Sequence, residues 1–398
     1  MERSRLDEPG GSTMRVAVIG AGMIGTSIAA ELAARGATVE LIDRADPGTG
    51  TSATSYAWVN ANNKTPDSYF RLNVAGVQAH RRLAAGGADW LHANGHVEFA
   101  VDPDHRLELR RRIERLRHLQ YPVEMITVAR ARELVADLVI ADDCDTIAFY
   151  PDEAHLRPDR YVASRLATAV RLGARLRTGV GVVGFEAGDA GVRVALADGT
   201  SLDVDRVVGA TGRWTNELTR CADLPALMIE NQQPGDLTVG YLARTTPGSF
   251  ALNRLVTSPK LNVRPNGDGR LLLQALDLDA TADPARVPGT DSRLGREFLT
   301  RLAALLSDVD DVALSELVVG YRAMPRDMRS VIGALPAAPW LYLVATHSGV
   351  TLAPLLGSGV AAELYGEQQR LFDDFRPDRL LTPGSCGGLP APRRPGEQ

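Results

Sequence analysis

Cysteine, lysine and aromatic residues are scarce in this 398-residue chain, and the shortages exclude several classes of protein. The three cysteines, Cys144, Cys221 and Cys386, lie far apart and form no CxxC pair, so neither a disulfide framework nor a zinc site is expected. Lys64 and Lys260 are the only lysines, so arginine supplies nearly all of the positive charge. The formal net charge is −5 and aromatic residues make up 5%, without a basic stripe for nucleic acid or an anionic membrane. We therefore expect a cytoplasmic protein with no metal and no nucleic-acid partner.

Long hydrophobic runs are also missing, apart from one near the N-terminus. Residues 16–34 are apolar, but Gly20, Gly22 and Gly25 interrupt them and a second strand-like run follows at once. No membrane span is therefore expected. Because 398 residues exceed what one compact core usually accommodates, two domains are predicted.

A glycine-rich turn near the N-terminus joins a predicted strand, residues 14–19, to a predicted helix, residues 23–35. In the turn GAGMIG, Gly20 permits a tight bend, Gly22 lets the backbone approach a pyrophosphate, and Gly25 allows close packing. A second strand, residues 38–42, ends at Asp43, whose carboxylate can accept hydrogen bonds from ribose hydroxyls. The unit predicts a dinucleotide site but does not distinguish NAD from FAD.

Two further segments supply small and hydroxyl-bearing residues. Thr51 and Ser52 lie in GTGTSATS, where hydroxyls and amides would meet the pyrophosphate; the alternative is a flexible polar loop. Residues 207–212 (VVGATG) predict a buried strand with an end small enough to pass close to a ligand. These segments complete a candidate cofactor set: Gly20, Gly22, Met23, Ile24, Gly25, Asp43, Arg44, Thr51, Ser52, Ala210, Thr211 and Gly212.

The rest of the chain alternates between helical and strand-like segments, which predicts an α/β fold. Helices are predicted at 107–120, 160–172 and 353–367, a hairpin at 192–204 and a strand at 340–345. From 237 to 278 the pattern changes to alternating β segments, which indicates a second, sheet-rich domain. Polar residues 1–13 and the Pro-, Gly- and Arg-rich residues 373–398 predict disordered tails.

Two segments near the C-terminus complete an ordered set of motifs: GYRAMPRD, residues 320–327, and HSGVTLAP, residues 347–354. With these motifs in this order, the chain resembles the FAD-dependent D-amino acid oxidase, glycine oxidase and sarcosine oxidase family. The motifs are the nucleotide turn, the Thr-Ser loop, the ATG strand end, Gly-x-Arg and HSGxTLAP. The likeness extends from about residue 14 to residue 365. Of the two dinucleotides, it implies FAD.

The resemblance also implies an architecture. A Rossmann-type, glutathione-reductase-like FAD-binding domain would comprise residues 14–96, 151–225 and 318–372. A sheet-rich substrate domain, residues 97–150 and 226–317, would cover the working face of the flavin. In relatives the turn near Gly349 approaches the flavin ring, which adds Gly349, Val350, Thr351 and Leu352 to the expected cofactor contacts. Amides there suit the negative charge of reduced flavin.

On the substrate side, Arg322 occupies the place of the arginine that grips the substrate carboxylate in glycine and D-amino acid oxidases. A planar guanidinium suits a carboxylate because two parallel hydrogen bonds fix the orientation; the alternative is a structural salt bridge. Tyr241 and Tyr321 either line the substrate cavity, as tyrosines do in relatives, or pack in the sheet. His347 is expected to order the turn or the flavin edge rather than to act as a general base.

Two departures from the family pattern carry expectations of their own. Gly320 stands where sarcosine oxidases with covalent flavin have a cysteine, so the FAD is expected to be non-covalent. Arg326 separates Pro325 from Asp327, which are adjacent in relatives. Arg326 and Arg329 would either add positive potential near the entrance or be ordinary surface arginines.

These expectations combine into a function. We expect an FAD-dependent enzyme that oxidises a C–N bond of a small amino acid or amine by hydride transfer to flavin N5. The products would be an imine and, with dioxygen as acceptor, H2O2. Three alternatives stay open: a dehydrogenase using another acceptor, an imine-forming flavoenzyme of a specialised pathway, and a non-catalytic flavin-binding subunit of a heteromeric oxidase. The motifs contain no Ser–His–Asp or Cys–His set, so covalent catalysis has no obvious carrier.

Overall fold

The computed structural model describes residues 13–230 and 233–381. The strands in this part are β1 (Arg15–Ile19), β2 (Thr38–Ile42), β3 (Trp58–Val59), β4 (Leu91–His92), β5 (His96–Phe99), β6 (Glu124–Met125), β7 (Ile147–Tyr150), β8 (Ala154–Leu156), β9 (Arg175–Arg177), β10 (Val182–Gly188), β11 (Gly191–Leu196), β12 (Ser201–Val204), β13 (Arg206–Gly209), β14 (Val239–Thr245), β15 (Leu255–Thr257), β16 (Asn262–Pro265), β17 (Leu271–Gln274), β18 (Leu314–Tyr321), β19 (Val331–Leu335) and β20 (Ala338–Ala345). The helices are α1 (Met23–Ala34), α2 (Asp67–Ala84), α3 (Pro103–His118), α4 (Val128–Leu134), α5 (Pro158–Arg171), α6 (Thr215–Cys221), α7 (Arg293–Ala303) and α8 (Gly349–Leu364).

A six-stranded sheet in the order β19-β20-β13-β1-β2-β9 carries the nucleotide motif. Its pairs are parallel except β19 with β20. Val16 and Val18 of β1 enter a hydrophobic cluster with α1 and α8, whereas Ala17 and Ile19 enter a second cluster with β11 and β12. Because both faces of the sheet are covered, its central strands β1 and β13 are apolar after their first residues, Arg15 and Arg206. The predicted α/β fold with a Rossmann-type sheet is confirmed.

An eight-stranded, mostly antiparallel sheet in the order β18-β14-β17-β16-β15-β5-β7-β6 stands beside it. Its two faces alternate along β17: Leu271 and Leu273 enter a cluster with Phe298 of α7, and Leu272 enters a cluster with Tyr56 and Trp58. The second face of this sheet therefore lies against the segment around β3. The sheet-rich sequence pattern at 237–278 corresponds to β14–β17.

The chain passes from the six-stranded to the eight-stranded sheet before β5 and again before β14, and it returns before β9 and before β19. Strand β18 continues to Tyr321 in the eight-stranded sheet, although residue 318 was expected to begin the last FAD-binding stretch. The predicted assignment of residues to two domains otherwise stays a prediction.

Three predicted boundaries were wrong for identifiable local reasons. Helix α3 begins at Pro103 rather than at 107, because the Asp102 side chain accepts a hydrogen bond from the His105 N–H (2.9 Å) and so caps the helix. Helix α8 begins at Gly349 rather than at 353, since the HSG turn runs directly into it.

No helix in the described part is long and apolar enough to cross a membrane.

The third wrong boundary is the start of the C-terminal tail. Residues Arg370–Phe375 and Pro377–Leu381 form 3-10 helices, although the sequence predicted disorder from 373. Phe372 and Phe375 are buried in the cluster of the six-stranded sheet, and Arg379 forms an ion pair with Asp327 at 2.8 Å. Two phenylalanines three residues apart thus anchor a segment whose composition is otherwise typical of disorder. The predicted tails at 1–12 and 382–398 lie outside the described residues.

Candidate active site

The glycine turn after β1 has the conformation that its sequence predicts. Gly20 has φ +103°, and a Cβ there would lie 2.5 Å from the Ala210 carbonyl oxygen. A Cβ on Gly25 would lie 1.7 Å from the Gly20 carbonyl oxygen. Only glycine fits either position, so the turn, the start of α1 and the end of β13 pack directly on one another.

Asp43 closes the loop at the end of β2. Its Oδ2 accepts a hydrogen bond from the Ala21 N–H (2.7 Å), and its Oδ1 accepts one from the Ala45 N–H (2.9 Å). A carboxylate has about four acceptor sites, so capacity remains for ribose hydroxyls. Arg44, beside it, forms an ion pair with Glu217 at 2.6 Å.

The loop with Thr51 and Ser52 lies across the glycine turn. Ser52 Oγ accepts a hydrogen bond from the Met23 N–H at 3.3 Å. The Thr51 hydroxyl is buried and has no hydrogen-bond partner among the described residues. Buried hydroxyls normally form a hydrogen bond, so the Thr51 hydroxyl is expected to donate one to a phosphate bound beside it.

A cavity of about 700 Å³ extends from this groove to the face of the eight-stranded sheet. Eighteen of the twenty predicted site residues line it: Gly20, Gly22, Met23, Ile24, Asp43, Arg44, Thr51, Ser52, Ala210, Thr211, Gly212, Tyr241, Tyr321, Arg322, His347, Gly349, Val350 and Thr351. Gly25 is absent from the wall because it serves the packing of the turn. Leu352 is fully buried in the hydrophobic cluster of α1 and α8 and does not line the cavity, so the expected cofactor contact at this residue stays a prediction.

The first turn of α8 is fixed by its neighbours. Pro354 lies inside the helix and has no N–H to donate to the carbonyl of Val350. His80 of α2 replaces that donor, with Nε2 2.8 Å from the Val350 oxygen. Burial lowers the pKa of His80 to about 4, so at neutral pH the ring is uncharged and donates from Nε2. Thr351 Oγ1 contacts the Asn60 N–H (3.2 Å), which ties the helix to the segment after β3.

Arg322 lies just beyond β18 and is largely buried. Its Nη2 is 2.5 Å from Asp279 Oδ2, and its Nη1 donates to the carbonyls of Leu237 (2.9 Å) and Val239. Asp279 Oδ1 also accepts a hydrogen bond from the Tyr241 N–H at 2.8 Å. Both members of the ion pair line the cavity. The structural salt bridge that the sequence left open therefore exists, and Arg322 still lines the cavity.

The other predicted residues of the substrate side differ in the contacts that their side chains form within the protein. The Tyr241 hydroxyl donates to the Thr281 carbonyl at 2.7 Å, so this tyrosine both lines the cavity and packs in the sheet. Tyr321 lies under the guanidinium of Arg213, 3.8 Å from ring centroid to Cζ. Arg326 and Arg329 do not line the cavity, and Arg329 pairs with Asp327 at 3.1 Å.

Several cavity residues escaped the sequence analysis. Arg213 and Trp214 directly follow the ATG strand end, so their position beside a predicted cofactor segment could have indicated them. Lys64 is one of two lysines in the chain, and this rarity could have indicated it. Lys64 is 4% exposed and lines the cavity. Asp279 lies in the sequence LDLDAT, which has no feature to distinguish it.

A dinucleotide fits this groove because the positions that would meet phosphate are those without side-chain bulk or with an unsatisfied hydroxyl, at Gly22 and Thr51. The groove also continues past α8 to a second sheet, so a group at the far end of the dinucleotide would meet a substrate there. Fold and site together define a dinucleotide-dependent oxidoreductase.

Comparison with known proteins identifies the family and the cofactor. Residues 15–363 match the sequence model of the DAO family, described as FAD dependent oxidoreductase. The chain belongs to this family, and its cofactor is FAD.

Two curated relatives illustrate the range of the family. The uncharacterized oxidoreductase YurR of Bacillus subtilis is 25% identical over 369 residues, which cover 89% of this chain and 95% of YurR. The tRNA 5-methylaminomethyl-2-thiouridine biosynthesis bifunctional protein MnmC of Chromohalobacter salexigens is 28% identical over 417 residues, which cover 92% of this chain. The chain spans only 56% of the length of that bifunctional protein.

The fold is also that of solved relatives. The crystal structure of glycine oxidase from Geobacillus kaustophilus superimposes with a TM-score of 0.79 at 23% identity, covering 92% of this chain and 98% of that one. L-proline dehydrogenase from P. horikoshii gives a TM-score of 0.79 at 20% identity, covering 93% and 98%.

Proposed function

We propose that the protein oxidises a C–N bond of a small amino acid or amine to an imine, with dioxygen as the acceptor that yields H2O2. The observation that supports this best is a largely buried arginine, Arg322, held at the cavity wall with part of its guanidinium uncommitted. Family membership and the glycine oxidase of Geobacillus kaustophilus, 24% identical over 90% of this chain, point the same way.

The hydrogen bonds of Arg322 leave a defined pair of donors. A guanidinium has five N–H groups. Two on Nη1 go to the carbonyls of Leu237 and Val239, and one on Nη2 goes to Asp279. The donors without a partner among the described residues are Nε–H and one N–H of Nη2. A guanidinium with donors left over can still bind a substrate carboxylate.

Asp279 serves as the positioning residue for this arginine. It accepts from Arg322 through one oxygen and from the Tyr241 N–H through the other, so the sheet backbone fixes the plane of the guanidinium. The pair also keeps this part of the cavity wall close to electrically neutral, which avoids an isolated buried charge. A substrate carboxylate then adds one negative charge, and the N–H donors of Arg322 that bind it are already held in position by Asp279.

The bond change requires a neutral substrate amine. As the carbon loses a hydride, the nitrogen lone pair becomes the second C–N bond, and the N–H proton of the resulting iminium passes to solvent water to leave the imine. FAD, when bound, supplies the two-electron acceptor for the hydride. The first turn of α8 at Gly349 to Thr351 lines the cavity and presents a helix N-terminus, which stabilises negative charge nearby. His347 orders the approach to that turn, and the lone pair of the amine, not this side chain, drives hydride loss.

The test is a substrate panel on the purified holoenzyme. Amino acids of both configurations and N-methyl amines are assayed for peroxide in air and for bleaching of the flavin absorbance without oxygen. Bleaching together with peroxide supports the proposed oxidase. Bleaching without peroxide would replace dioxygen by another acceptor, and the absence of both across the panel would overturn the proposal in favour of a non-catalytic flavin-binding subunit.

A further inference from the structure

We propose that Arg213 is a cofactor-binding residue whose guanidinium neutralises the pyrophosphate of FAD at the mouth of the groove. The inference depends on the cofactor and not on the proposed amine substrate. It rests on where the chain places Arg213, on how its side chain is held, and on the charges that surround it.

Residues on both sides of Arg213 in the sequence, Thr211 before it and Trp214 after it, each border one wall of the dinucleotide groove. A Cβ on Gly20 would lie 3.2 Å from the Cα of Thr211, so the strand end borders the glycine turn. A Cβ on Gly50 would lie 2.9 Å from the ring of Trp214, so that ring borders the loop of Thr51. Arg213 stands between these two contacts and lines the cavity. Its backbone is thus fixed beside the two segments that would meet the phosphates.

The side chain of Arg213 is held between two aromatic rings. Its Cζ lies 4.1 Å from the ring centroid of Trp214 and 3.8 Å from that of Tyr321. Such stacking leaves the N–H groups at the edge of the guanidinium available for an anion in the same plane. The Nε is buried and has no hydrogen-bond partner among the described residues. A preoriented donor without a partner is the mark of a ligand site.

The charges of the cavity wall select an anion. Arg44 is paired with Glu217 and Arg322 with Asp279, whereas no ion pair involves Arg213 in residues 13–230 and 233–381. The carboxylates of Glu217 and Asp279 are thus paired with other arginines, and Arg213 provides a cation at the groove for the ligand. A pyrophosphate brings two negative charges, and arginine binds phosphate oxygens through parallel hydrogen bonds.

The position favours the pyrophosphate over a substrate carboxylate. Trp214, which stacks on Arg213, also carries Arg44 on its ring at 4.7 Å and borders Gly50, so it belongs to the adenosine and phosphate end of the groove. The donors of Arg322 lie at the substrate end, because its partners are Val239 of β14 and Asp279 of the 3-10 helix Leu276–Thr281 that follows β17.

The experiment measures binding to the apoprotein rather than turnover. Arg213→Met removes the charge, Arg213→Lys keeps it, and Arg326→Met removes an exposed arginine outside the cavity as the matched control. FAD affinity is followed by flavin fluorescence, ADP binding by calorimetry, and riboflavin serves as the phosphate-free probe. Melting temperatures of the apoproteins report whether each variant is folded.

Arg213→Met is expected to weaken binding of FAD and of ADP by roughly 10- to 100-fold, the loss of a hydrogen-bonded charge contact. Riboflavin affinity should not change, Arg213→Lys should retain part of the FAD affinity, and Arg326→Met should match the wild type. Unchanged FAD and ADP affinity in Arg213→Met would overturn the proposal. So would an equal loss for riboflavin, which would mean that Arg213 only packs Trp214 against Tyr321. A raised KM for substrate with normal FAD affinity would reassign Arg213 to the substrate. None of these results depends on whether the substrate is an amine.

Discussion

At the scale of single residues, Arg322 forms the salt bridge that the sequence offered as one of two alternatives, and it also lines the cavity. The second alternative, binding of the substrate carboxylate, stays our proposal. Neither role excludes the other, because a guanidinium has more donors than one carboxylate can occupy.

Replacement of Arg322 by Met should lower kcat/KM on the best amino acid substrate by roughly 30-fold to a few thousand-fold. This range corresponds to about 2–5 kcal/mol for removal of one member of a buried charge pair, at ~1.4 kcal/mol per tenfold. FAD content should stay near that of the wild type. Arg326→Met, which removes an exposed arginine, is the control and should leave kcat/KM unchanged.

Wild-type kcat/KM in Arg322→Met would show that the residue is structural only. The same conclusion follows if amines without a carboxylate are the better substrates. Arg322→Lys keeps the charge but loses the paired donors, so it should recover little of the activity.

For His347, we expect that substitution by Ala leaves the deuterium isotope effect on anaerobic flavin reduction in place. Reduction should become faster as the pH rises through the pKa of the bound substrate amine, since only the neutral amine has the lone pair. Stopped-flow absorbance with substrate deuterated at the transferred carbon measures both. If Ala at 347 abolishes reduction while FAD and substrate still bind, a side-chain base drives the chemistry.

Site residues that belong to a local sequence motif could be predicted, whereas residues that reach the site through contacts between distant parts of the chain could not. The turn from Gly20 to Gly25 and the acid at Asp43 lie within one strand–helix–strand unit, so spacing alone indicated them. Asp279 is 43 positions from Arg322, and only the pairing of β14 with β18 and the adjoining turns brings the two together. The burial of Leu352 was not evident from the sequence for a related reason. Its neighbours at the start of α8 face the cavity, but helical geometry turns this residue into the core.

At the scale of secondary-structure elements, α8 is positioned by close contact with α2. A Cβ on Gly76 of α2 would lie 2.6 Å from the Thr351 carbonyl oxygen. Together with the hydrogen bond from His80 to Val350, this contact fixes the first turn of α8 at the cavity. The helix N-terminus is therefore placed by packing at its side rather than by a side-chain cap, which α8 lacks.

Gly76→Ala should displace that turn, lower stability by about 1–3 kcal/mol and weaken FAD binding, because the added methyl group meets backbone rather than a movable side chain. Gly86→Ala, where a Cβ meets nothing within 4 Å, is the matched control. Denaturant unfolding and FAD titration of both variants measure the two effects. Equal behaviour of the two variants would mean that α2 does not set the position of α8.

At the scale of the whole molecule, stability should depend on a buried carboxylate that does not line the cavity. Burial alone would raise the pKa of Glu98, but Arg112, His105 and His96 lower it from 4.5 to about 2. In the unfolded chain this carboxylate regains an ordinary pKa, so its contribution is complete above pH 4.5 and is lost as the pH falls towards 2.

Glu98→Gln should therefore destabilise the protein most above pH 4.5, and the difference from the wild type should shrink as the pH is lowered to 2. The change in that difference is roughly 3 kcal/mol. Unfolding free energies of both proteins across this range measure it. A difference that is constant with pH would assign the loss to packing instead of charge.

The mode of FAD attachment is also a property of the assembled molecule. A Cβ on Gly320 would lie 2.6 Å from the Thr54 carbonyl oxygen, so the structure has no room for the cysteine that attaches flavin in some relatives. Acid precipitation of the holoprotein should leave a colourless pellet and a yellow supernatant that contains FAD. Flavin retained on the peptide, or NAD in the supernatant, would contradict this prediction.

The repeated passage of the chain between the two large sheets has a consequence for engineering and for evolution. Each sheet is built from segments that alternate along the sequence, so no single cut separates them. A nick in a connecting loop should leave two fragments that stay associated and active, and neither fragment should fold alone. A new substrate surface cannot be grafted here as a cassette with one junction. It has to be obtained by changing side chains on β14, β17 and β18 in place, while the cofactor half is left as it is.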